Sequence, residues 1–306
     1  MNAPTGTQYI ITRATKQGEA RATITELAAS LREFSIGGVD LVESYAESAM
    51  PPFADGIVLV PWPNRIEDGT WMLDGEPQTL DITERDRNNS IHGLLRNTGY
   101  SLIERTEGSV TLGATIFPQH GYPFHVHTTV RYELVEGGLR VSHTATNLSD
   151  AAAPYALGTH PFFKIGDTPV AELTLTMTAA TRFESNERLI PTAEVAVPGT
   201  DFDLSAGRPV GELDLDMAFA GVEVVDGVAA RLTAPDGREV RVTVDENFDF
   251  VQLFTPRNFP TLTGIGQVVA IEPMTAAPNA FNTGRGLLWL EPGVEFAATW
   301  GVEFSA

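Results

Sequence analysis

The chain contains no cysteine. That excludes disulfides, thiolate nucleophiles and cysteine metal ligands, and it fits a reducing, cytoplasmic setting. Basic residues are scarce: 20 Lys and Arg stand against 40 Asp and Glu, for a formal net charge of −20. Such a surface repels phosphate backbones and anionic bilayers, so nucleic-acid and membrane partners are not expected. The acids are scattered rather than blocked together, which reads as a solvated surface. No apolar run reaches the roughly 18 residues that a membrane-spanning helix needs. Met1–Gln8 has no basic stretch followed by an apolar one, so no secretory leader is expected. Dinucleotide, phosphate-loop and Gly-x-Ser-x-Gly patterns are missing as well.

What is present points to strands. The chain has 306 residues, 42% of them hydrophobic, with 28 Gly and 20 Pro spread along it. That is enough for a large core, and all-β folds of such length often form one unit. Arg131–Glu136 and Leu139–Thr146 alternate in polarity around Gly137-Gly138, which predicts a hairpin. Asp226-Gly227 and Asp236-Gly237 predict two more, linking Val222–Val225, Ala230–Thr233 and Glu239–Val244. Asp68-Gly69 and Asp74-Gly75 bracket Thr70–Leu73, and Pro292-Gly293 joins Leu287–Leu290 to Glu295–Phe304. No segment carries a sustained helical stripe, no linker divides the chain and no repeat is visible. The expected architecture is all-β, a large antiparallel sandwich. It is read as one domain over residues 1–306, with 1–18 as a peripheral N-terminal segment.

Two loops stand out for chemistry, Pro61-Trp-Pro-Asn-Arg-Ile66 and Ile91-His-Gly-Leu-Leu-Arg96. Proline fixes its own φ and pushes the preceding residue toward extended conformations. Trp62, Asn64 and Arg65 are therefore presented on a braced turn, while Gly93 lets the backbone pass close to a neighbour just after His92. An arginine and a histidine held this way beside a tryptophan suit a neutral, hydroxyl-rich ligand with one apolar face, which describes a sugar.

Other residues could carry proton transfer. His160 lies in Leu157-Gly-Thr-His-Pro-Phe-Phe163. Histidine titrates near neutrality and can give or take a proton there, although a loop histidine bonded to backbone has the same sequence surroundings. Glu272 follows Val268-Val-Ala-Ile271, the pattern of a strand buried on both faces. Burial at its end would raise the carboxyl pKa and make a better base; an acid turned to water fits the same spacing. Asp214 and Asp216 share a face if extended. An aspartate can accept two sugar hydroxyls, and two surface acids is the plainer reading. His125 and His127 could begin a metal site, but no third ligand follows at a diagnostic spacing and no metal is assigned. Among the aromatics, mostly core by type, Trp62 and Phe163 are taken as faces for sugar stacking.

Taken in order, Asn64-Arg65-Ile66, His92-Gly93, His160-Pro-Phe-Phe, Leu215-Asp216-x-x-Phe219, and Glu272 with Pro278-Asn-Ala-Phe-Asn282 resemble the aldose 1-epimerase (galactose mutarotase) family. The wording looks closer to a bacterial branch than to the animal proteins, and the resemblance runs over nearly the whole chain. It implies a β-sandwich with an open sugar cleft. It assigns Glu272 as general base, His160 as general acid, and Arg65, His92 and Asp216 as groups that hold the ring oxygen and hydroxyls, with Asn64 beside them. One departure is Glu272-Pro-Met274 where better-known members often carry Glu-Thr-Gln; the lost amide bears on which hydroxyl pattern is recognised. The implied activity is interconversion of the α and β anomers of a hexose by ring opening and closing. No metal, nucleotide or redox cofactor is called for. The partner is a small-molecule monosaccharide, and the protein a monomer or homodimer. Rival readings are a mutarotase for a phosphorylated or sulfonated hexose, with Arg65 and Arg96 as anion ligands, a non-catalytic carbohydrate-binding protein, and a metalloprotein built on His125 and His127.

Overall fold

A computed structural model describes residues 3–306. Two large antiparallel sheets dominate it. The nine-stranded sheet runs in the order Ser101–Arg105, Ser109–Ile116, Val126–Val135, Gly138–Asn147, Glu295–Ser305, Glu239–Val244, Val228–Thr233, Thr174–Met177 and Leu204–Pro209. The eight-stranded sheet runs Pro191–Ala196, Ala179–Ser185, Asp216–Val222, Phe250–Phe254, Val269–Met274, Gly158–Thr159 and Val58–Leu59, with Phe162–Phe163 also paired to Val269–Met274. Leu112, Val130, Val141 and Trp300 from the first and Phe219, Leu253 and Ile271 from the second join one core cluster. The architecture is the antiparallel all-β sandwich that the alternation predicts. Helix is confined to short turns, the longest Ala280–Thr283.

The strongest predicted hairpin forms in the expected register, from Val126↔Asn147 to Val135↔Gly138. Its first strand alternates strictly: Val126, Thr128, Val130, Tyr132 and Leu134 are buried and the residues between them are half-exposed. Period-two patterning thus reports a real face here.

Two predicted hairpins are not hairpins. Asp226-Gly227 does turn the chain, but Asp216–Val222 pairs with Ala179–Ser185 and Phe250–Phe254 in the eight-stranded sheet, whereas Val228–Thr233 belongs to the nine-stranded one. Pro292-Gly293 likewise separates Leu288–Leu290, paired with Ala153–Tyr155, from Glu295–Ser305. Turn residues fix a local reversal; burial of each strand's apolar face decides which sheet it joins.

The N-terminal segment is also less peripheral than expected. Gln8–Thr15 pairs along its whole length with Gly18–Thr25 in a four-stranded sheet, and its Tyr9 and Ile11 are buried in the main core. Residues 1–2 of that segment lie outside the described residues.

Candidate active site

A cavity of about 490 Å³ opens on the face of the eight-stranded sheet that points away from the main core. Its floor follows from strand alternation. Val251, Leu253 and Ile271 enter the core, so Gln252 and Glu272 face the other way. These two residues are directly opposed across neighbouring strands. Glu272 therefore sits inside a strand, Val269–Met274, every residue of which is buried, rather than at its end. Asp216 begins the next strand over and completes the acidic side of the floor. Asp214 is exposed and takes no part.

Loops supply the opposite wall. His160 lies between two short strands, its N–H donating to the Ile57 carbonyl at 3.2 Å and its carbonyl accepting from Gly56 N–H at 2.8 Å. Arg65–Glu67 pairs with Asn89–Ile91, bringing the two prominent loops together. His92 N–H donates to the Asn64 carbonyl at 2.9 Å. Asn64 and His92 both have positive φ, 55° and 64°, a conformation that side chains adopt at a cost of order 1–3 kcal/mol and that clusters at functional sites. Gly93 has φ +75°, and a Cβ there would lie 2.0 Å from the Val60 carbonyl oxygen; that carbonyl is the neighbour the glycine admits. Asn279 braces the wall from behind, donating its N–H to the Arg65 carbonyl at 2.8 Å and accepting from Glu67 N–H at 3.1 Å.

The side chains form one polar array. His160 Nε2 lies 3.4 Å from Glu272 Oε1. The His92 and His160 rings meet edge-on, centroids 5.3 Å apart. Gln252 donates through Nε2 to Asp216 Oδ1 at 2.7 Å and accepts from Asn64 Nδ2 at 3.2 Å. Arg65 donates through Nε and Nη2 to the two oxygens of Glu84, at 2.8 and 3.0 Å. Arg87 and Arg96 also line the cavity, and Arg96 makes one hydrogen bond, to the Ile91 carbonyl, and no ion pair among the described residues.

Burial sets the protonation of this array. It pushes the Glu272 carboxyl well above the usual range, with the Asp216 charge adding and Arg65 opposing. It pulls His160 down to about 4, where the Arg65 and Arg96 charges reinforce it against a backbone hydrogen bond. His92 falls well below its usual value through burial and its basic neighbours His160, Arg96 and Arg65. Asp216 is raised, chiefly by burial. Burial thus disfavours the charged form of both His160 and Glu272. The sequence-based expectation has His160 as an imidazolium, a form its buried surroundings oppose.

Arg65, His92, Asp216, Asn64, His160 and Glu272 all line the cavity. Trp62 and Phe163 do not. Trp62 is buried edge-on against Phe281, and Phe163 is buried in the main core. Large apolar rings gain more from complete burial than a cleft wall offers. The aromatic surface of the cavity comes from Phe53 and Phe254, which the sequence did not distinguish from other phenylalanines. Glu84 and Gln252 were missed too; each is a single polar residue with no motif around it. Met274 packs with Phe250 and Phe183 in an apolar cluster, and the amide beside Glu272 is that of Gln252. His125 stacks on Phe117 and His127 bonds Thr115 through Nδ1 at 3.0 Å; no group of three metal-ligating side chains occurs among the described residues.

The model of the aldose 1-epimerase family matches residues 13–302. The chain belongs to the aldose 1-epimerase family. An Escherichia coli K12 relative, the uncharacterized protein YihR, is 32% identical over 277 residues, 90% of this chain and 87% of that one. Among solved structures, a GalM/aldose epimerase homologue from C. elegans superposes with a TM-score of 0.85 at 22% identity, covering 98% of this chain and 99% of that one. A galactose 1-epimerase from Lactobacillus acidophilus does so with a TM-score of 0.75 at 18% identity, covering 98% of each. At these identities the structural likeness speaks for the fold, a galactose mutarotase-like sandwich. Family membership supports an epimerase-type enzyme acting on a carbohydrate. No helix among the described residues is long and apolar enough to cross a membrane.

Proposed function

We propose that the chain is an aldose 1-epimerase that interconverts the anomers of a hexose, acting without a cofactor as a single β-sandwich unit in the cytoplasm. The observation that carries this reading is the His160–Glu272 apposition, 3.4 Å apart between the wall and the floor of a polar cavity. A pyranose changes anomer by opening, which needs a proton removed from the C1 hydroxyl and one delivered to the ring oxygen. The pair holds the one proton required. Its transfer from Glu272 to His160 across that gap produces carboxylate and imidazolium. Glu272 then takes the O1 proton, the C1–O5 bond breaks, and His160 protonates O5. The resulting aldehyde rotates about C1–C2 and closes on its other face with the steps reversed. Atoms and charge balance, and the pair returns to its starting state. Arg65 and His92 stand where charge develops near the ring oxygen, and Asp216 with Gln252 offers acceptors and a donor to hydroxyls. A protein that only bound sugar would have no use for the buried proton-sharing pair.

A second reading is favoured by one observation. Arg96 lines the cavity, as Arg87 does, with no acidic ion-pair partner among the described residues, while the protein as a whole is strongly acidic. A guanidinium so placed suits a phosphate or sulfonate on the hexose. The test is anomer interconversion followed by NMR or polarimetry, with freshly dissolved α-D-glucose and α-D-galactose, then with a hexose 6-phosphate and a 6-sulfonated hexose. Acceleration for the neutral sugars that inorganic sulfate leaves untouched supports the first reading. Acceleration for the anionic sugars alone, abolished by sulfate and by Arg96→Met, supports the second. No acceleration with any of them overturns both.

A further inference from the structure

The cavity's basic wall has one acid in it. Glu84 sits in the loop between Asp81 and Asn89, and its carboxylate is saturated. Oε2 accepts from Arg65 Nε at 2.8 Å and Asn89 Nδ2 at 3.0 Å, and Oε1 accepts from Arg65 Nη2 at 3.0 Å and Arg87 Nη1 at 3.1 Å. The Arg65–Glu84 contact is a buried fork-to-fork pair, the side chains 9% and 14% exposed. Such a pair fixes the plane of the guanidinium. It leaves Nη1 outside the fork, where it donates to Asn64 Oδ1 at 3.5 Å.

The loop is held from outside as well. Arg188 donates to the Arg87 carbonyl at 2.8 Å, to Asn89 Oδ1 at 3.2 Å and to Asp68 Oδ1 at 2.6 Å. Glu84 thus lies in a frame clamped on both sides, unlike a surface acid that could swing away. Burial alone would raise its pKa, but the hydrogen bonds and charges of Arg65, Asn89 and Arg87 outweigh that and hold it below the usual range. Its negative charge is permanent at neutral pH. It faces Arg65, Arg87 and Arg96, three cations to one anion on this wall.

We infer that Glu84 is a positioning and specificity residue, a fixed counter-ion that aims Arg65 at the ligand and, by cancelling part of the basic wall, sets how strongly the cavity selects anionic over neutral sugars. The inference rests on the reading of this cavity as a sugar site. The two parts of the role separate by substitution. Glu84→Gln keeps the shape and removes the charge; Glu84→Asp keeps the charge and is too short for the fork.

The experiment uses the full chain with two readouts. One is binding of inorganic sulfate by calorimetry, which needs no catalysis. The other is kcat and KM for whichever hexose the wild type turns over. Glu84→Gln is expected to bind sulfate at least tenfold more tightly than wild type, because Arg65 and Arg87 lose their counter-ion. Glu84→Asp is expected to bind sulfate within about threefold of wild type, yet to raise KM at least fivefold. Sulfate affinity unchanged in Glu84→Gln would overturn the counter-ion role, and KM unchanged in Glu84→Asp the positioning role. If Glu84→Gln fails to fold, Glu84→Ala replaces it in the sulfate arm with the same expected tightening, and unchanged sulfate affinity overturns the counter-ion role. Absence of turnover by the wild type would count against the enzyme reading alone, since the sulfate arm still decides the charge claim.

Discussion

His160 Nε2 and Glu272 Oε1 lie 3.4 Å apart; Glu272 is inside the strand Val269–Met274, and His160 directly follows Gly158–Thr159, a short strand paired with it. Proton transfer by a positioned group contributes typically about 10²–10⁴-fold. Glu272→Gln keeps the size and polarity of the side chain but can neither take nor give the proton. We expect mutarotation to fall at least about a hundredfold in Glu272→Gln, and likewise in His160→Ala, with urea midpoints close to wild type for the isosteric variant. Near-normal rates in either, measured by polarimetry on folded protein, would remove that residue from the mechanism.

The same pair predicts a pH profile. In the proposed mechanism the active state carries one proton on the pair. A second goes onto His160, which burial holds at about 4. Losing the first means ionising Glu272, whose pKa is raised. The rate in kcat/KM is therefore expected to stay flat from neutrality down through pH 5 and to halve near pH 4, as a property of the coupled pair. An acid limb near the ordinary histidine value of about 6.5 would show that His160 is not held as the structure implies.

Gly93 offers a structural test of the wall. With φ +75° and the Val60 carbonyl 2.0 Å from any added Cβ, Gly93→Ala must move backbone, not merely a side chain. Strained φ together with a steric clash puts it among the severe substitutions, and we expect a loss of roughly 2–4 kcal/mol in chemical denaturation. His92 immediately precedes it and donates to Asn64, so sugar binding should weaken as well. A stable, fully active Gly93→Ala protein would mean that the two loops are not locked together.

Part of this site is legible in the sequence. Arg65 and His92 could be picked out because each sits in a short proline- or glycine-bearing segment whose local conformation is nearly dictated. Glu272 was visible through the apolar run before it, which does form an entirely buried strand. Glu84 and Gln252 were not visible. Gln252 owes its place to cross-strand register with Glu272, and Glu84 to the pairing of Arg65–Glu67 with Asn89–Ile91, and neither register leaves a local pattern. Trp62 and Phe163 misled for the converse reason. Neighbouring a functional loop says nothing about which side of the chain a ring will occupy, and both rings turned into the core. Asp226-Gly227 does reverse the chain, but the partner of each strand is decided by sheet packing far away in sequence.

His143 is fully buried in the nine-stranded sheet, its Nε2 accepting from Trp300 Nε1 at 3.2 Å, and burial depresses its pKa to about 3. In the unfolded chain a histidine titrates near 6.5. The folded value lies below the unfolded one, so below about pH 6.5 the unfolded state binds the proton that the folded state refuses. Its contribution therefore turns against the fold as pH falls from about 6.5 toward 3. Several buried acids titrate in the opposite sense, so the total stability curve will not isolate this residue. A difference will. Glutamine can accept the Trp300 hydrogen bond and does not ionise, and the stability of wild type minus that of His143→Gln should drop by about 1.4 kcal/mol between pH 7.5 and 5.5. Urea titrations of both proteins at those two pH values measure it. A difference that stays constant would mean that His143 is protonated in the folded protein, and that Trp300 does not donate to it.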